Sequence, residues 1–307
     1  MADARAPFDR KSVRAHRDRA AENIGDHDFL LGEVAVRLSE RLDDIKRDFA
    51  CVLDLGCHGG VLGERLAGRD GIETIVQCDL SPAMVRRAAV KNRGFALSLA
   101  ADEEFLPFAD GSFDSVLSNL SLHWVNDLPG ALIQIRKVLK PDGLFIGAML
   151  GGETLNELRQ ALMEAELANE GGVSPRISPF ADVRDAGDLL LRAGFALPVA
   201  DSDRITVTYP DALSLMRELR AMGEANAVRS RRHGFSRSTT LSQAAALYET
   251  RHADREGRIP ASFEIVYLSA WAPDDTQPKA LRPGSASRRL ADALATEEHP
   301  AGDKAKP

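Results

Sequence analysis

Residues 52–60 read Val52-Leu53-Asp54-Leu55-Gly56-Cys57-His58-Gly59-Gly60. An apolar run breaks into a small, glycine-studded turn, and a helix-like stretch, Val61 to Leu66, follows it. A strand, a tight loop and a helix N-terminus in that order make a seat for a polar ligand, because free backbone N–H groups converge there. Gly56 and Gly60 let the backbone turn sharply and approach that ligand with no Cβ in the way. The dinucleotide spacing G-x-G-x-x-G would need glycine where His58 and Val61 stand, which disfavours a pyrophosphate ligand.

Outward from this loop, short apolar runs alternate with helical patterns. Strands are expected at 51–55, 74–78, 96–100, 113–118, 143–148, 204–209 and 263–268, with helices at 82–91 and 128–139 between them. Such alternation predicts an α/β fold: a doubly wound, mostly parallel seven-stranded Rossmann-like sheet whose ligands bind at the strands' carboxyl ends. Residues 1 to about 20 are charged and weakly patterned, whereas Phe29, Leu30, Val34, Leu38 and Leu42 have the spacing of an amphipathic helix. We divide the chain into an N-terminal helical cap (1–50), the sheet domain (51–272) and a disordered tail (273–307), rich in Pro, Ala, Ser and charge. Within the sheet domain, 151–181 reads as a lid, its turn-rich part running from Gly171 to Pro179. A helical insertion, 211–258, separates the last two strands. It carries Arg229, Arg231, Arg232 and His233, which read either as a solvated face or as a dock for an acidic partner such as an acyl carrier protein.

The chain has 307 residues, 44% apolar, and a formal net charge of -7. That balance argues against a general nucleic-acid binder, and the sequence has no apolar run long enough for an integral membrane segment. Arg5, Arg10, Lys11, Arg14, Arg17 and Arg19 hint at a mitochondrial transit peptide, but Asp3, Asp9 and Asp18 interleave with them, so a cytoplasmic protein is the expectation. Cys51, Cys57 and Cys78 fit neither a disulfide framework nor a zinc site. His252-Ala253-Asp254 has the spacing of two facial-triad iron ligands, with His299 as a spare histidine; their charged surroundings disfavour it, and no metal site is expected.

The strand ends carry acids. Asp54 stands beside the glycine loop, where a carboxylate can accept from an ammonium group. Asp79 ends the second strand about twenty residues on, the position from which an acid grips a ribose diol. Asp102, with Glu103 and Glu104, follows the third, where an exocyclic amine of a base can be met. Three acids in succession suit a nucleoside with a neutral or cationic tail. His123, just past the fourth strand, reads equally as a general base or as a histidine satisfied by packing beside Trp124.

The loop, Asp79-Leu80-Ser81-Pro82, Asp102-Glu103-Glu104-Phe105-Leu106-Pro107 and Leu139-Lys140-Pro141-Asp142-Gly143 together resemble the class I S-adenosylmethionine-dependent methyltransferases. The resemblance implies S-adenosyl-L-methionine as cofactor. Asp54, Gly56, His58 and Gly60 would face its methionine part, Asp79 and Leu80 its ribose, and Asp102 and Glu103 its adenine, with Asn119 also in the site. The chain departs from the pattern at His58, where glycine is usual.

A narrower resemblance rests on Phe8-Asp9-Arg10, Ser121-Leu122-His123-Trp124-Val125-Asn126-Asp127, Ser174-Pro175-Arg176-Ile177-Ser178-Pro179 and Met222-Gly223-Glu224-Ala225-Asn226. These are similar to the mitochondrial complex I assembly factors that act as protein-arginine hydroxylases. The implied partner is the iron–sulfur subunit of NADH:quinone oxidoreductase, and the implied compartment is the bacterial cytoplasm or, in a eukaryote, the mitochondrial matrix. Asp211-Ala212-Leu213-Ser214-Leu215-Met216-Arg217 is more distantly similar to the malonyl-carrier-protein methyltransferases. Three readings follow: arginine hydroxylation, methyl transfer to a carrier-bound carboxylate or a protein side chain, and a non-catalytic assembly chaperone.

Overall fold

The computed structural model describes residues 6–180, 182–278, 285 and 289–297. Seven strands form one sheet: β1 (Cys51–Leu55), β2 (Thr74–Asp79), β3 (Ala96–Ala100), β4 (Phe113–Asn119), β5 (Leu139–Leu150), β6 (Ala196–Tyr209) and β7 (Ile259–Trp271). Their order is β3-β2-β1-β4-β5-β7-β6. The first five pair in parallel, and β7 runs antiparallel to both β5 and β6. This is the doubly wound sheet that the alternation predicts, with order reversing at β1, where the glycine loop leaves.

The flanking helices are α1 (Arg10–Ala20), α2 (Phe29–Asp43), α3 (Val61–Leu66), α4 (Pro82–Lys91), α5 (Leu128–Val138), α6 (Asn156–Glu170), α7 (Val183–Arg192), α8 (Ala212–Ala221) and α9 (Ser238–His252). One face of the sheet packs on α2, α6, α8 and α9 through Leu38, Leu158, Leu215 and Tyr248. The other packs on α5 and α7 through Ile135 and Leu190. Val52 enters the first layer and Leu53 the second, so β1 is covered on both sides and its sequence is apolar except for the buried Asp54, not alternating.

β5 and β7 extend several residues past the expected 143–148 and 263–268, and two further elements exceed their sequence signal. β6 begins at Ala196, not Arg204: Pro198 interrupts its first run, Leu197 and Val199 are exposed on this edge strand, and the polar stretch Asp201-Ser202-Asp203-Arg204 cuts that run off from the rest. The weakly patterned residues after Phe8 form α1, capped by Asp9, whose carboxylate accepts from the N–H groups of Lys11 and Ser12. Its buried positions are Val13, Arg17 and Ala20; an arginine in a core-facing stripe hides the stripe.

The residues from Asp274 onward form a separate unit, in which Leu290–Leu294 is a short helix, α10, rather than wholly irregular chain. Much of the expected disordered tail, His299 included, lies outside the described residues. No helix among the described residues is long and apolar enough to cross a membrane.

Candidate active site

At the end of β1 the N–H groups of Gly56 and Cys57 both donate to the Cys78 carbonyl, at 2.8 and 2.9 Å, which ties the loop to the end of β2. Gly56 has φ +73°, and a Cβ there would lie 2.0 Å from Ser121 Oγ. Gly60 has φ +84°, and a Cβ there would meet Asn92 Nδ2 at 2.6 Å and the Ala88 backbone at 2.9 Å. Both positions demand glycine. His58 also has positive φ, 47°, a strained angle for a side-chain-bearing residue. Its buried ring approaches the Leu120 carbonyl with Nε2 at 3.1 Å, and its backbone N–H donates to Asp79 at 3.1 Å. Burial, and secondarily the Arg17 charge, push the His58 pKa down. The imidazole is therefore neutral, and it staples the loop to the end of β4.

Asp54 lies beneath the loop, fully buried. Its Oδ2 accepts from Gln77 Nε2 at 2.9 Å, and Gln77 Oε1 accepts from Asn92 Nδ2 at 2.8 Å. Asn92 Nδ2 also donates to the Gly60 carbonyl at 2.9 Å. A buried polar chain thus runs from β1 under the turn to its far side. Burial lifts the Asp54 pKa to about 7.

The other acids converge on α1. Asp79 Oδ1 accepts from the Ser81 N–H at 2.7 Å, and both Asp79 oxygens accept from Arg17 Nη1 at 3.2–3.3 Å. Glu103 Oε1 accepts from Arg17 Nη1 at 2.9 Å and from Ser121 Oγ at 2.6 Å, while Arg17 Nη2 donates to Ser121 Oγ at 2.8 Å. Arg10 pairs with Asp102 at 2.5 Å and with Glu103. Arg17 is 1% exposed and Glu103 is fully buried. Desolvation opposes both charges, but the mutual ion pairs outweigh it: the guanidinium is raised and the Glu103 carboxyl is pushed far below the usual carboxylate range.

The structure therefore gathers Asp79, Asp102 and Glu103 into one cluster and sets Asp54 one layer below. Leu80 packs partly buried against Phe8, Val13 and Trp124 under α1. Asn119, buried at the end of β4, donates to the Leu31 carbonyl at 2.9 Å and so fastens α2. The donor chemistry of the cluster fits a nucleoside. Arg17 and Arg10 present N–H groups to the carboxylates at which a ribose diol and an exocyclic amine would present theirs. Arg17 is thus an internal stand-in, and a ribose on Asp79 requires it to move.

His123 is buried, with Nδ1 facing the Leu150 N–H at 3.5 Å and Nε2 on Glu224 Oε2 at 3.1 Å. The backbone donor assigns the proton to Nε2. Trp124 Nε1 donates to the same Glu224 oxygen at 2.9 Å. Glu224 follows the end of α8, about a hundred residues from its partners, and the sequence showed it only inside a motif without a role. Beside it lies a cavity of about 480 Å³ walled by Trp124, Phe180, Leu158 and Met216.

The remaining candidates lie apart. Arg231 donates to Ser12 Oγ at 2.9 Å and Arg232 pairs with Glu170, so half of the basic cluster braces its own fold. Asp254 caps a turn by accepting from the N–H groups of Glu256 and Arg258, both at 2.9 Å, and His252 stacks against Tyr248. Among the described residues no group of three or more His, Cys, Asp or Glu is placed to hold a metal.

Sheet order, glycine loop and strand-end acids define a class I methyltransferase fold. A family profile described as a methyltransferase domain matches residues 53–147. The phosphoethanolamine N-methyltransferase 2 of Haemonchus contortus, solved with S-adenosyl-L-methionine, superimposes with a TM-score of 0.54 at 15% identity, covering 85% of this chain and 60% of that one, which supports the fold. The mitochondrial arginine-hydroxylase NDUFAF5 of Danio rerio is 44% identical over 93% of this chain and 88% of its own length. The malonyl-[acyl-carrier protein] O-methyltransferase of Halorhodospira halophila is 38% identical over 89% of this chain and 91% of its own. The chain belongs to this methyltransferase-fold family of arginine hydroxylases and carrier-protein methyltransferases.

Proposed function

We propose that the chain binds S-adenosylmethionine at the ends of β1–β3 and modifies an arginine of a protein partner, the iron–sulfur subunit of NADH:quinone oxidoreductase, by hydroxylation. The observation that carries this reading is the 44% identity to an arginine hydroxylase across 287 residues. A match of that length takes in the helices outside the sheet, where substrate contacts belong, and not only the shared cofactor-type core.

When bound, the cofactor would supply a sulfonium-activated methyl group to the methyl-transfer alternative; hydroxylation leaves that group in place and takes its oxygen from O2. The chain's residues would divide the work of holding the cofactor: Asp79 accepts from the ribose, Asp102 and Glu103 face the base, and Gly56 and Gly60 let the loop approach closely. Leu80 and Asn119 brace the surrounding elements, and Asp54 supports the turn through Gln77 and Asn92. His123 is the candidate proton-handling group: Glu224 holds its Nε2, and its Nδ1, 3.5 Å from the Leu150 N–H, is the nitrogen that would take the proton. We assign the protein to a reducing compartment, the bacterial cytoplasm or the mitochondrial matrix, in keeping with the thiols of Cys57 and Cys78, which are free and buried.

The test is mass spectrometry of the substrate arginine peptide after aerobic incubation of the protein with the iron–sulfur subunit, S-adenosylmethionine and a two-electron reductant, with malonyl-carrier protein in a parallel reaction. The reductant is required because inserting one atom of O2 leaves the other to be reduced to water. The expected result is a gain of one oxygen on the arginine and no methyl ester on the malonyl group. A gain of a methylene on either substrate makes the protein a methyltransferase, and complex formation with no mass change makes it a chaperone. Calorimetry with S-adenosylmethionine tests the site directly: Asp79→Ala weakens binding by about tenfold or more, and an unchanged affinity removes the ribose assignment.

A further inference from the structure

Glu224 has His123, at 3.1 Å, as its one ion-pair partner among the described residues. Burial opposes its charge, but the charge and hydrogen bond of His123, with the more distant charges of His58 and Arg17, hold its pKa below the usual carboxylate value. Oε2 takes both donors, His123 Nε2 and Trp124 Nε1, and Oε1 accepts no hydrogen bond among the described residues. No arginine or lysine pairs with Glu224 among the described residues. A largely buried carboxylate, 14% exposed, with one oxygen left without a donor favours a further donor that carries positive charge.

What surrounds it has the shape of a receptor. Glu224 borders the cavity of about 480 Å³ and also a smaller one that reaches His58 at the glycine loop. It is thus the polar group that links the two spaces. Trp124 and Phe180 meet edge to face, 6.4 Å apart and at 77°, with His123 5.4 Å from each, which sets an aromatic wall beside the carboxylate. The rest of the wall is largely aliphatic and suits a methylene stem. Arg176 in the lining is neutralised by Glu166 at 2.8 Å, while Arg220 is exposed at the rim.

We propose that this cavity is the receptor for the substrate's arginine side chain: Glu224 Oε1 accepts from the guanidinium, and Trp124 and Phe180 form the aromatic wall beside it. The proposal rests on the arginine-modifying reading above and gives it a place. A guanidinium on Glu224 sits at the passage to the loop, while its three methylenes run back through the aliphatic mouth to the partner's backbone. Glu224 is a specificity-determining residue in this arrangement, and His123 and Trp124 position it.

The test is a calorimetric titration with two small probes, N-acetyl-arginine amide and its citrulline counterpart, which is nearly isosteric but neutral. The wild-type protein is expected to bind the arginine probe and to discriminate against citrulline by about tenfold or more. Glu224→Gln, which keeps an acceptor for His123 and Trp124, is expected to abolish that discrimination. Leu241→Trp narrows the cavity without touching Glu224 and is expected to weaken the arginine probe as well, so the pocket stays testable if the first variant unfolds. Equal binding of the two probes by the wild-type protein, no binding of either, or discrimination that survives in Glu224→Gln overturns the proposal. The readout needs no turnover. A protein that binds the arginine probe through Glu224 but adds no mass to the iron–sulfur subunit keeps the pocket and loses the hydroxylase reading; a protein that adds oxygen while Glu224→Gln binds normally does the reverse.

Discussion

At the residue scale the decisive side chain is Arg17. It is buried between Asp79 and Glu103, and removing one member of such a group leaves the others as uncompensated buried charge. Arg17→Met is therefore expected to destabilise the protein by about 3–5 kcal/mol, measured by denaturant unfolding; a loss under about 1 kcal/mol would show that solvent reaches the cluster. Asp54 makes a prediction of opposite character. Its folded pKa of about 7 lies above the unfolded value near 3.8, so the unfolded chain releases its proton first. Stability falls as pH rises through that window and levels off above it. Asp54→Asn removes the titration, so the variant gains on the wild type between about pH 4 and pH 7, by at most on the order of 4 kcal/mol. Unfolding midpoints at the two ends of the window check this, and a constant difference would place Asp54 in contact with water. Nothing in the neighbourhood of Arg17 announced its role, because the two carboxylates it meets, Asp79 and Glu103, stand at strand ends far along the chain.

At the element scale α1 is the movable part. It sits over the ends of β2 and β3 through Arg10 and Arg17, with Phe8 edge-on to Trp124 at 5.3 Å to hold its start. If Asp79 receives a ribose, Arg17 must give up that carboxylate, and the helix loosens or shifts. Hydrogen exchange of the amides of α1 is expected to speed up on adding S-adenosylmethionine, while β1 and β4 stay protected. Unchanged exchange in α1 would mean that the cofactor enters without displacing Arg17. The elements themselves were unequally visible. β1, β2 and α4 were legible because strands covered on both faces are rich in apolar residues and because Ser81-Pro82 is a helix start, borne out by the Ser81 Oγ cap on Met84 at 3.1 Å. The first part of β6 and the whole of α1 were not: Pro198 breaks the one, whose Leu197 and Val199 are exposed, and charged residues mask the stripe of the other.

At the scale of the whole molecule, one sheet presents two different faces of chemistry. The strand ends of β1–β3 carry the nucleoside-type acids, and the layer of α6, α8 and α9 encloses the cavity that Glu224 overlooks. Relatives named for two distinct activities match this chain at 38–44% identity, so the fold alone does not choose the reaction. The sequence by itself determined the doubly wound sheet, the glycine loop and the register of Asp79 and Asp102 after it. Each of these is a local matter, settled by hydrophobic period, by turn geometry and by position at a strand's end. Only the tertiary structure decided that Asp54 lies below the loop, that Arg17 occupies the acids, and that Glu224 stands against His123 and Trp124. The contacts of Arg17 and Glu224 join residues about sixty to a hundred positions apart, and a charge's partner over such a separation is fixed by how the layers close and not by any period in the chain.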